Sequence, residues 1–256
     1  MITVSTMRRK TTRSRAVVPA TPAAPPEPPV VLPDVPWKRQ WKNARASFGS
    51  VRQTVESIAA GEFRIPPFQR PFVWTDDAVI ALLDSLLAGH YIGTLLLWER
   101  YRQPATEVTL GGVTVTSPEG QAYVVIDGQQ RLGSLAAAFL SGRFYVDLLT
   151  GKFTTAPKPT DLPLAMLVGQ DIDLHVHEWG ERPEIVAALG SRVAWRLARA
   201  METALLWGST VQVCILDHGA PIAHVVETFR RLNTHGAPMS ADDLAAALAR
   251  YEEQAK

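Results

Sequence analysis

The segment VVIDGQQRLGSLAAAFL, residues 124–140, constrains the fold more than any other stretch of the chain. An apolar run rich in β-branched residues ends at Asp127, and Gly128 follows it as a turn residue. Leu132, Leu135 and Phe139 then recur at the helical period. The pattern predicts a buried strand that passes directly into a helix, with the polar residues DGQQR at the junction.

Two interpretations of this junction remain open from the residues alone. Asp127 as N-cap, with Gln130 reaching back, would form a capping box that contributes about 1 kcal/mol. That interpretation leaves Gln129 and Arg131 unexplained, since a cation in the first turn is repelled by the helix dipole at a cost of about 0.3–1 kcal/mol. A bound phosphate would reverse this sign, and Asp127 could hold a divalent ion beside it.

A second polar cluster lies in IPPFQRPFVW, residues 65–74. The prolines predict a constrained extended loop and lower the entropic cost of holding a long side chain in place. Gln69 and Arg70 stand between aromatic residues in this loop. Arg70 could therefore bind an anion, or it could stack on the rings as a structural cation–π contact.

Two further patterns are weaker indications of a functional site. FRRLNTHGAPMSADDL places Arg230, Arg231, Asn233 and His235 around a helix-ending turn, which a helical corner with solvated arginines also explains. His175 and His177 have strand-like i, i+2 spacing that could begin a metal site, although no third ligand is evident.

Charge is distributed unevenly along the chain. Residues 1–47 hold nine of the 26 Lys and Arg residues and two of the 25 Asp and Glu residues, so this segment carries +7 and the remainder −6. The basic segment is rich in proline and has no amphipathic period, so we expect a disordered tail over 1–45 that either contacts DNA phosphates or is merely solvated. In the acidic remainder, any nucleic-acid site must be a local cluster of arginines.

The rest of the composition bounds the class of protein. Cys214 is the one cysteine, which excludes an internal disulfide, and its apolar neighbours predict a buried core thiol. The most apolar stretch is interrupted by Asp84, Gly89 and His90, so we predict no membrane span. These features favour the reducing cytoplasm. The last predicted helix reaches Lys256 without a stop signal, so we expect the natural chain to continue.

The periodicities predict an α+β fold with a mixed sheet. They indicate a helix near 50–60, a helix capped by Thr75, a strand at IGTLLLWE and a hairpin whose second arm leads into Asp127. A second hairpin, a long helical region over about 184–207, a strand at VQVCILD and a helix opened by Pro221 follow. We divide the body into a sheet-containing subdomain, 46–156, and a mainly helical subdomain, 157–256, which completes the same domain.

Taken in order, these segments resemble one family. IPPFQRPFVW, GHYIGTLLLWE, VVIDGQQRLGSL, RFYVDLLTGKF and VETFRRLNTHGAPMSADDL are similar to the DGQQR-motif N-terminal domain of GmrSD-type modification-dependent restriction endonucleases, over roughly residues 46–250. The resemblance implies a ParB/sulfiredoxin-like fold that binds and hydrolyses a nucleoside triphosphate (NTP) with a divalent metal such as Mg²⁺. It also implies a role in defence against modified phage DNA, commonly with a C-terminal HNH nuclease domain.

The resemblance also assigns residues by motif position. Asp127, Gln129, Gln130 and Arg131 match the active segment, Gln69 and Arg70 the first motif, and Asn233 the last. In the mechanism this implies, Arg131 and Arg70 neutralise phosphate oxygens beside the Gly128 backbone. Asp127 coordinates Mg²⁺ or orients water, and Gln129 or Gln130 positions the nucleophile.

Two departures from the family pattern matter for function. Gly133 stands where threonine is common, which would loosen a phosphate contact, and the HNH half is absent from this sequence. The absent HNH half argues against DNA cleavage by this chain alone. Two other functions stay open beside NTP hydrolysis. One is a non-catalytic ParB-like DNA-binding or clamp module. The other is a metal-dependent DNA nuclease, for which Asp147 is the nearest further acidic candidate.

Overall fold

The computed structural model describes residues 44–66, 69–169 and 171–232. The helices within these ranges are α1 Val51–Ala59, α2 Asp76–Leu87, α3 Gln129–Leu140, α4 Ile172–Gly180, α5 Pro183–Ala188, α6 Ser191–Glu202 and α7 Ile222–Leu232. The strands are β1 Ala44–Ser50, β2 Phe63–Arg64, β3 Thr94–Gln103, β4 Thr106–Leu110, β5 Val113–Ser117, β6 Gly120–Asp127, β7 Tyr145–Val146, β8 Phe153–Thr154, β9 Leu162–Pro163 and β10 Thr210–Leu216. A 3₁₀ turn spans Leu164–Leu167, and a π-helical turn spans Thr203–Trp207.

A mixed five-stranded sheet in the order β1-β10-β3-β6-β2 forms the centre. β10 runs parallel to β3, and β2 runs parallel to β6, whereas β1–β10 and β3–β6 are antiparallel pairs. The predicted α+β fold with a mixed sheet is confirmed. Within the predicted helical segment, 157–256, β10 supplies a strand that lies between β1 and β3, so both halves of the chain build one sheet.

Both faces of the sheet are covered by apolar side chains. Leu95 and Leu97 of β3 point into the larger core, which includes residues of α1, α2 and α3. Leu96 and Trp98 point to the opposite face and pack in a smaller core with Val225 of α7. This two-sided burial explains why IGTLLLWE reads as a continuous apolar run rather than an alternating one.

The predicted helix after Thr75 is confirmed together with its signals. The Thr75 hydroxyl accepts a hydrogen bond from the Ala78 N–H at 3.3 Å, and Asp76 and Asp77 lie in the first turn of α2. Gly89 follows the C-terminus with a left-handed φ of 74°. The segment that connects α2 to β3 therefore begins at Gly89.

Three sequence predictions about local structure need correction. The hairpin is formed by β4 and β5, which pair only with each other among the described strands, while β6 pairs with β2 and β3. The long helical region is broken at Gly190, whose φ of 76° is left-handed and separates α5 from α6. His175 and His177 lie on helix α4 and not on a strand, and residues two apart on a helix do not face each other. They therefore do not form the start of a metal site.

The remaining predictions concern the tail, the end of the last motif, the cysteine and membrane spans. The tail over 1–45 falls almost wholly outside the described residues, as do Asn233 and His235. Cys214 lies on β10 and is half-buried rather than fully buried as predicted, and the burial it does have raises the pKa of its thiol. No described helix is both long and apolar enough to cross a bilayer.

Candidate active site at the β6–α3 junction

The DGQQR segment forms the junction between β6 and α3. Asp127 is the last residue of β6, and Gly128 takes the N-cap position with φ 99° and ψ 10°. A Cβ atom at residue 128 would lie 2.4 Å from Leu95 Cδ2, so glycine is needed both for its backbone conformation and for space. No side chain caps α3, so of the two interpretations left open by the sequence the capping box does not hold. Because Gly128 is the N-cap, the Asp127 carboxylate belongs to the residue just before the N-cap position of the helix.

The Asp127 carboxylate pairs with Arg131 in the first turn of α3. Arg131 Nη2 lies 2.9 Å from Asp127 Oδ2, and the side chains are 17% and 37% exposed respectively. Arg131 Nη1 also donates to the carbonyl oxygens of Thr94 at 2.9 Å and Ile92 at 3.4 Å. The guanidinium is therefore fixed between the end of β6 and the start of β3.

This geometry resolves the electrostatic question that the sequence left open. The carboxylate of Asp127 offsets the repulsion between Arg131 and the positive end of the α3 dipole, so a bound anion is not required to explain the arginine. A partly exposed pair of this kind contributes about 0–1 kcal/mol. It leaves a charged, solvent-accessible corner at a helix N-terminus that has no side-chain cap.

Gln130 connects the junction to the FQRPFVW loop. Its Oε1 accepts a hydrogen bond from the Val73 N–H at 3.0 Å, and its Nε2 donates to the Pro71 carbonyl at 3.0 Å. The acceptor and the donor of this buried amide thus both have partners, and both partners lie in the same loop. Positioning of a nucleophile by Gln130 stays a prediction, and in this structure the side chain positions residues 71–73.

Gln69 holds the same loop from its other end. Its Nε2 donates to the carbonyl oxygens of Val125 and Ile126, at 3.2 and 2.8 Å, directly before Asp127. Arg70 follows in the chain and is exposed, and it makes no hydrogen bond, ion pair or ring contact with the described residues. The structure thus places an arginine with unused donors next to a residue that is tied to the junction.

Gln129 is the buried member of the motif whose hydrogen bonding is incomplete. The residue is 8% exposed, and its Oε1 is buried and has no hydrogen-bond partner among the described residues. A buried acceptor left unpaired costs about 1–3 kcal/mol. Gln129 is therefore the side chain of this segment that has capacity for an additional donor.

Gly133 has a packing explanation. A Cβ atom there would lie 2.5 Å from Phe72 Cδ2 and 3.1 Å from the Gly111 nitrogen, so the residue faces the loop and the β4–β5 turn. A threonine at this position would not fit without moving Phe72. The glycine is accordingly a packing feature, whatever its effect on a phosphate.

Metal-binding capacity at the junction rests on the Asp127 carboxylate. Among the described residues, the one group of three or more potential ligands is Glu99, Asp217 and His218, away from the DGQQR segment. Both oxygens of Glu99 accept from Arg45, at 2.8 and 3.1 Å, so that carboxylate is already paired. Asp147, the other acidic candidate, accepts from Leu149 and Thr150 within a turn.

Sequence reasoning missed the residues that hold Arg131. Ile92 and Thr94 act through backbone carbonyls, which leave no signature in a sequence. Gly93 between them has φ 92°, and a Cβ atom there would lie 2.4 Å from Arg131 Nη1. The glycine in GHYIGT is the one signal that could have indicated a close approach.

With the geometry in place, we compared the chain with known proteins. Residues 51–249 match the family described as the GmrSD restriction endonuclease, N-terminal domain. The chain belongs to this family. It is also 36% identical, over 125 residues, to an uncharacterized protein of Methanocaldococcus jannaschii. That alignment covers 46% of the chain and 21% of the relative, so the chain aligns with about a fifth of the relative's length.

Membership in the GmrSD N-terminal domain family confirms the resemblance and identifies the chain as a module of a restriction system. Within this domain the structure brings Gln69, Gln130, Asp127 and Arg131 to one corner, joined by the hydrogen bonds described above. Asn233, the last residue assigned by motif position, lies outside the described residues.

Proposed function

We propose that this GmrSD N-terminal domain binds a nucleoside triphosphate at the β6–α3 junction and hydrolyses it with Mg²⁺. The hydrolysis would serve an anti-phage, modification-dependent DNA restriction system in the cytoplasm, together with an HNH nuclease domain or subunit. The observation that carries the proposal is the Asp127–Arg131 pair, held in the partly exposed first turn of a helix that has no side-chain cap. Arg70, which is exposed and follows Gln69 in the chain, adds positive charge.

Arg131 is suited to phosphate recognition because its position is fixed before a ligand arrives. Nη1 remains on the Ile92 and Thr94 carbonyls and Nη2 on Asp127, while the second N–H of Nη2 donates to a phosphate oxygen. The uncapped N–H groups of the first turn face the same charge, as is common at helix N-termini that bind phosphate. Arg70 contributes a second guanidinium from a loop that Gln69 and Gln130 hold in place.

Asp127 is suited to Mg²⁺, which is bound through one or two carboxylates together with substrate phosphates. Its carboxylate is partly exposed, and Arg131 contacts Oδ2, which leaves Oδ1 for the metal. The metal would supply charge neutralisation on the phosphate oxygens. Gln129 is the residue we assign to accepting a hydrogen bond from the attacking water, which requires that its buried, unpaired Oε1 becomes accessible when the nucleotide binds. Phosphoryl transfer depends mainly on such positioning and electrostatics.

The test combines ligand-induced stabilisation with phosphate release. Each of the four NTPs with Mg²⁺ is added to the wild-type chain and to Asp127→Asn. A ligand that binds only the native state should stabilise the wild type by about 2.7 kcal/mol at 100 times its dissociation constant. We expect phosphate release by the wild type and none by Asp127→Asn. Binding without release, with or without DNA, would favour the non-catalytic ParB-like clamp, and nicking of DNA by the isolated chain would favour a nuclease.

A further inference from the structure

Tyr91 is an exposed aromatic residue whose hydroxyl is held by two strands. The residue is 70% exposed, yet its hydroxyl lies 2.5 Å from Thr94 Oγ1 and 3.0 Å from Gln212 Oε1. Thr94 Oγ1 also donates to Gln212 Oε1 at 2.9 Å, and these two residues are partners in the parallel β3–β10 pair. The phenol is therefore anchored at its polar end, while most of its surface remains in contact with solvent.

This anchored ring adjoins the proposed phosphate site. Thr94 contacts Tyr91 through its hydroxyl and Arg131 through its carbonyl. Ile92, the residue after Tyr91, also accepts from Arg131, and consecutive Cα atoms are about 3.8 Å apart. The ring and the guanidinium are thus attached to the same short segment, 91–94, at the start of β3.

We propose that Tyr91 is the surface on which the base of the bound nucleotide stacks. The inference rests on the proposed function, because the phosphates of that nucleotide occupy the β6–α3 junction. Aromatic side chains stack on nucleobases through their π-faces, and every base presents such a face. Because a hydrogen bond to Thr94 or Gln212 already restricts the phenol, stacking costs less side-chain entropy than it would on a mobile ring. The site should consequently accept all four NTPs.

Two other exposed aromatic residues, Tyr101 and Trp207, lack this combination. Tyr101 lies on β3 near the end opposite Thr94, which places it away from Arg131. The ring of Trp207 is covered by the guanidinium of Arg52, 5.4 Å from the ring centroid. Tyr101 therefore provides a matched control, as an exposed tyrosine of β3 outside the proposed site.

The experiment compares two ligands on the full chain by titration calorimetry with Mg²⁺. One ligand is an NTP, and the other is inorganic tripolyphosphate, which carries the phosphates without a base. We expect Tyr91→Ala to weaken NTP binding about tenfold, as for loss of one stacking contact, and to leave tripolyphosphate binding unchanged. Tyr91→Phe keeps the ring but loses its hydroxyl anchor, so it should weaken NTP binding less than Tyr91→Ala does and leave tripolyphosphate binding unchanged. Tyr101→Ala should bind both ligands like the wild type.

The two hypotheses fail in different ways. Equal weakening of both ligands in Tyr91→Ala, or no weakening of either, would overturn the stacking inference and leave the phosphate site intact. A wild-type chain that binds neither ligand would overturn the proposed function itself, and the inference with it. Because Tyr91 is exposed, the thermal melt of Tyr91→Ala should match that of the wild type, which verifies that folding is unaffected.

Discussion

Arg131 Nη1 donates a 2.9 Å hydrogen bond to the carbonyl oxygen of Thr94, which joins the first turn of α3 to the start of β3. The arginine therefore has a structural role in addition to any role in binding phosphate. Substitutions at Asp127 and Arg131 should separate these two roles, since the former removes only one charge from a partly exposed pair.

We expect Arg131→Ala to lower the free energy of unfolding by about 1–2 kcal/mol, because two carbonyls lose their donor. Asp127→Asn should cost less than about 1 kcal/mol. Both variants should lose NTP turnover. Urea unfolding and phosphate release measure the two effects. An Arg131→Ala chain as stable as the wild type would show that the carbonyl contacts contribute nothing in solution.

Gly93→Ala should disturb the position of Arg131 without removing it. The new methyl group would lie 2.4 Å from Arg131 Nη1, in a backbone conformation with φ 92°. Gly112→Ala is the matched control, because its φ is 81° and nothing lies within 4 Å of its Cβ position. Both variants should lose about 1–2 kcal/mol from left-handed strain, but only Gly93→Ala should weaken tripolyphosphate binding. Equal binding by the two variants would contradict a role for the Arg131 position.

Gln130→Ala should release the FQRPFVW loop. The Val73 N–H loses its acceptor, so its hydrogen exchange should accelerate, and the free energy of unfolding should fall by about 1–3 kcal/mol. Gln53→Ala serves as control, since the Gln53 side chain accepts from the Ser50 backbone N–H in a different part of the chain. That variant should leave Val73 exchange unchanged. If Gln130→Ala also leaves the exchange of the Val73 N–H unchanged, the loop is held by other contacts.

The Arg45–Glu99 pair predicts a pH dependence of stability. Hydrogen bonds from Arg45 lower the pKa of Glu99, outweighing the effect of burial. A depressed carboxylate pKa stabilises the native state above the ordinary value of 4.5, and this contribution is lost as the pH falls through the lower folded value. Wild-type stability should therefore decline below about pH 4.5 more steeply than that of Glu99→Gln. If the free energies of unfolding of the two proteins, measured in urea, fall in parallel as the pH is lowered, the pair is not formed in solution.

The sequence alone was sufficient to predict those elements whose structure is decided by residues close together in the chain. The apolar period of α2 and its Thr75 cap, the strand before Asp127 and the turn at Gly128 are local features, and each could be predicted from residues a few positions apart. The order of these segments also indicated the family, which the match over 51–249 confirms. The sequence therefore determined where the DGQQR corner lies and which elements flank it.

The tertiary structure decided what the polar side chains of that corner contact. Gln130 bonds a loop 57 residues away, and Arg131 bonds a carbonyl 37 residues away. The insertion of β10 between β1 and β3 likewise depends on strand pairing between distant segments. Long amide and guanidinium side chains have several possible partners, and burial favours whichever conformation satisfies the most hydrogen bonds. That choice depends on residues brought together only by folding, which is why a capping box was plausible in the sequence and is absent from α3.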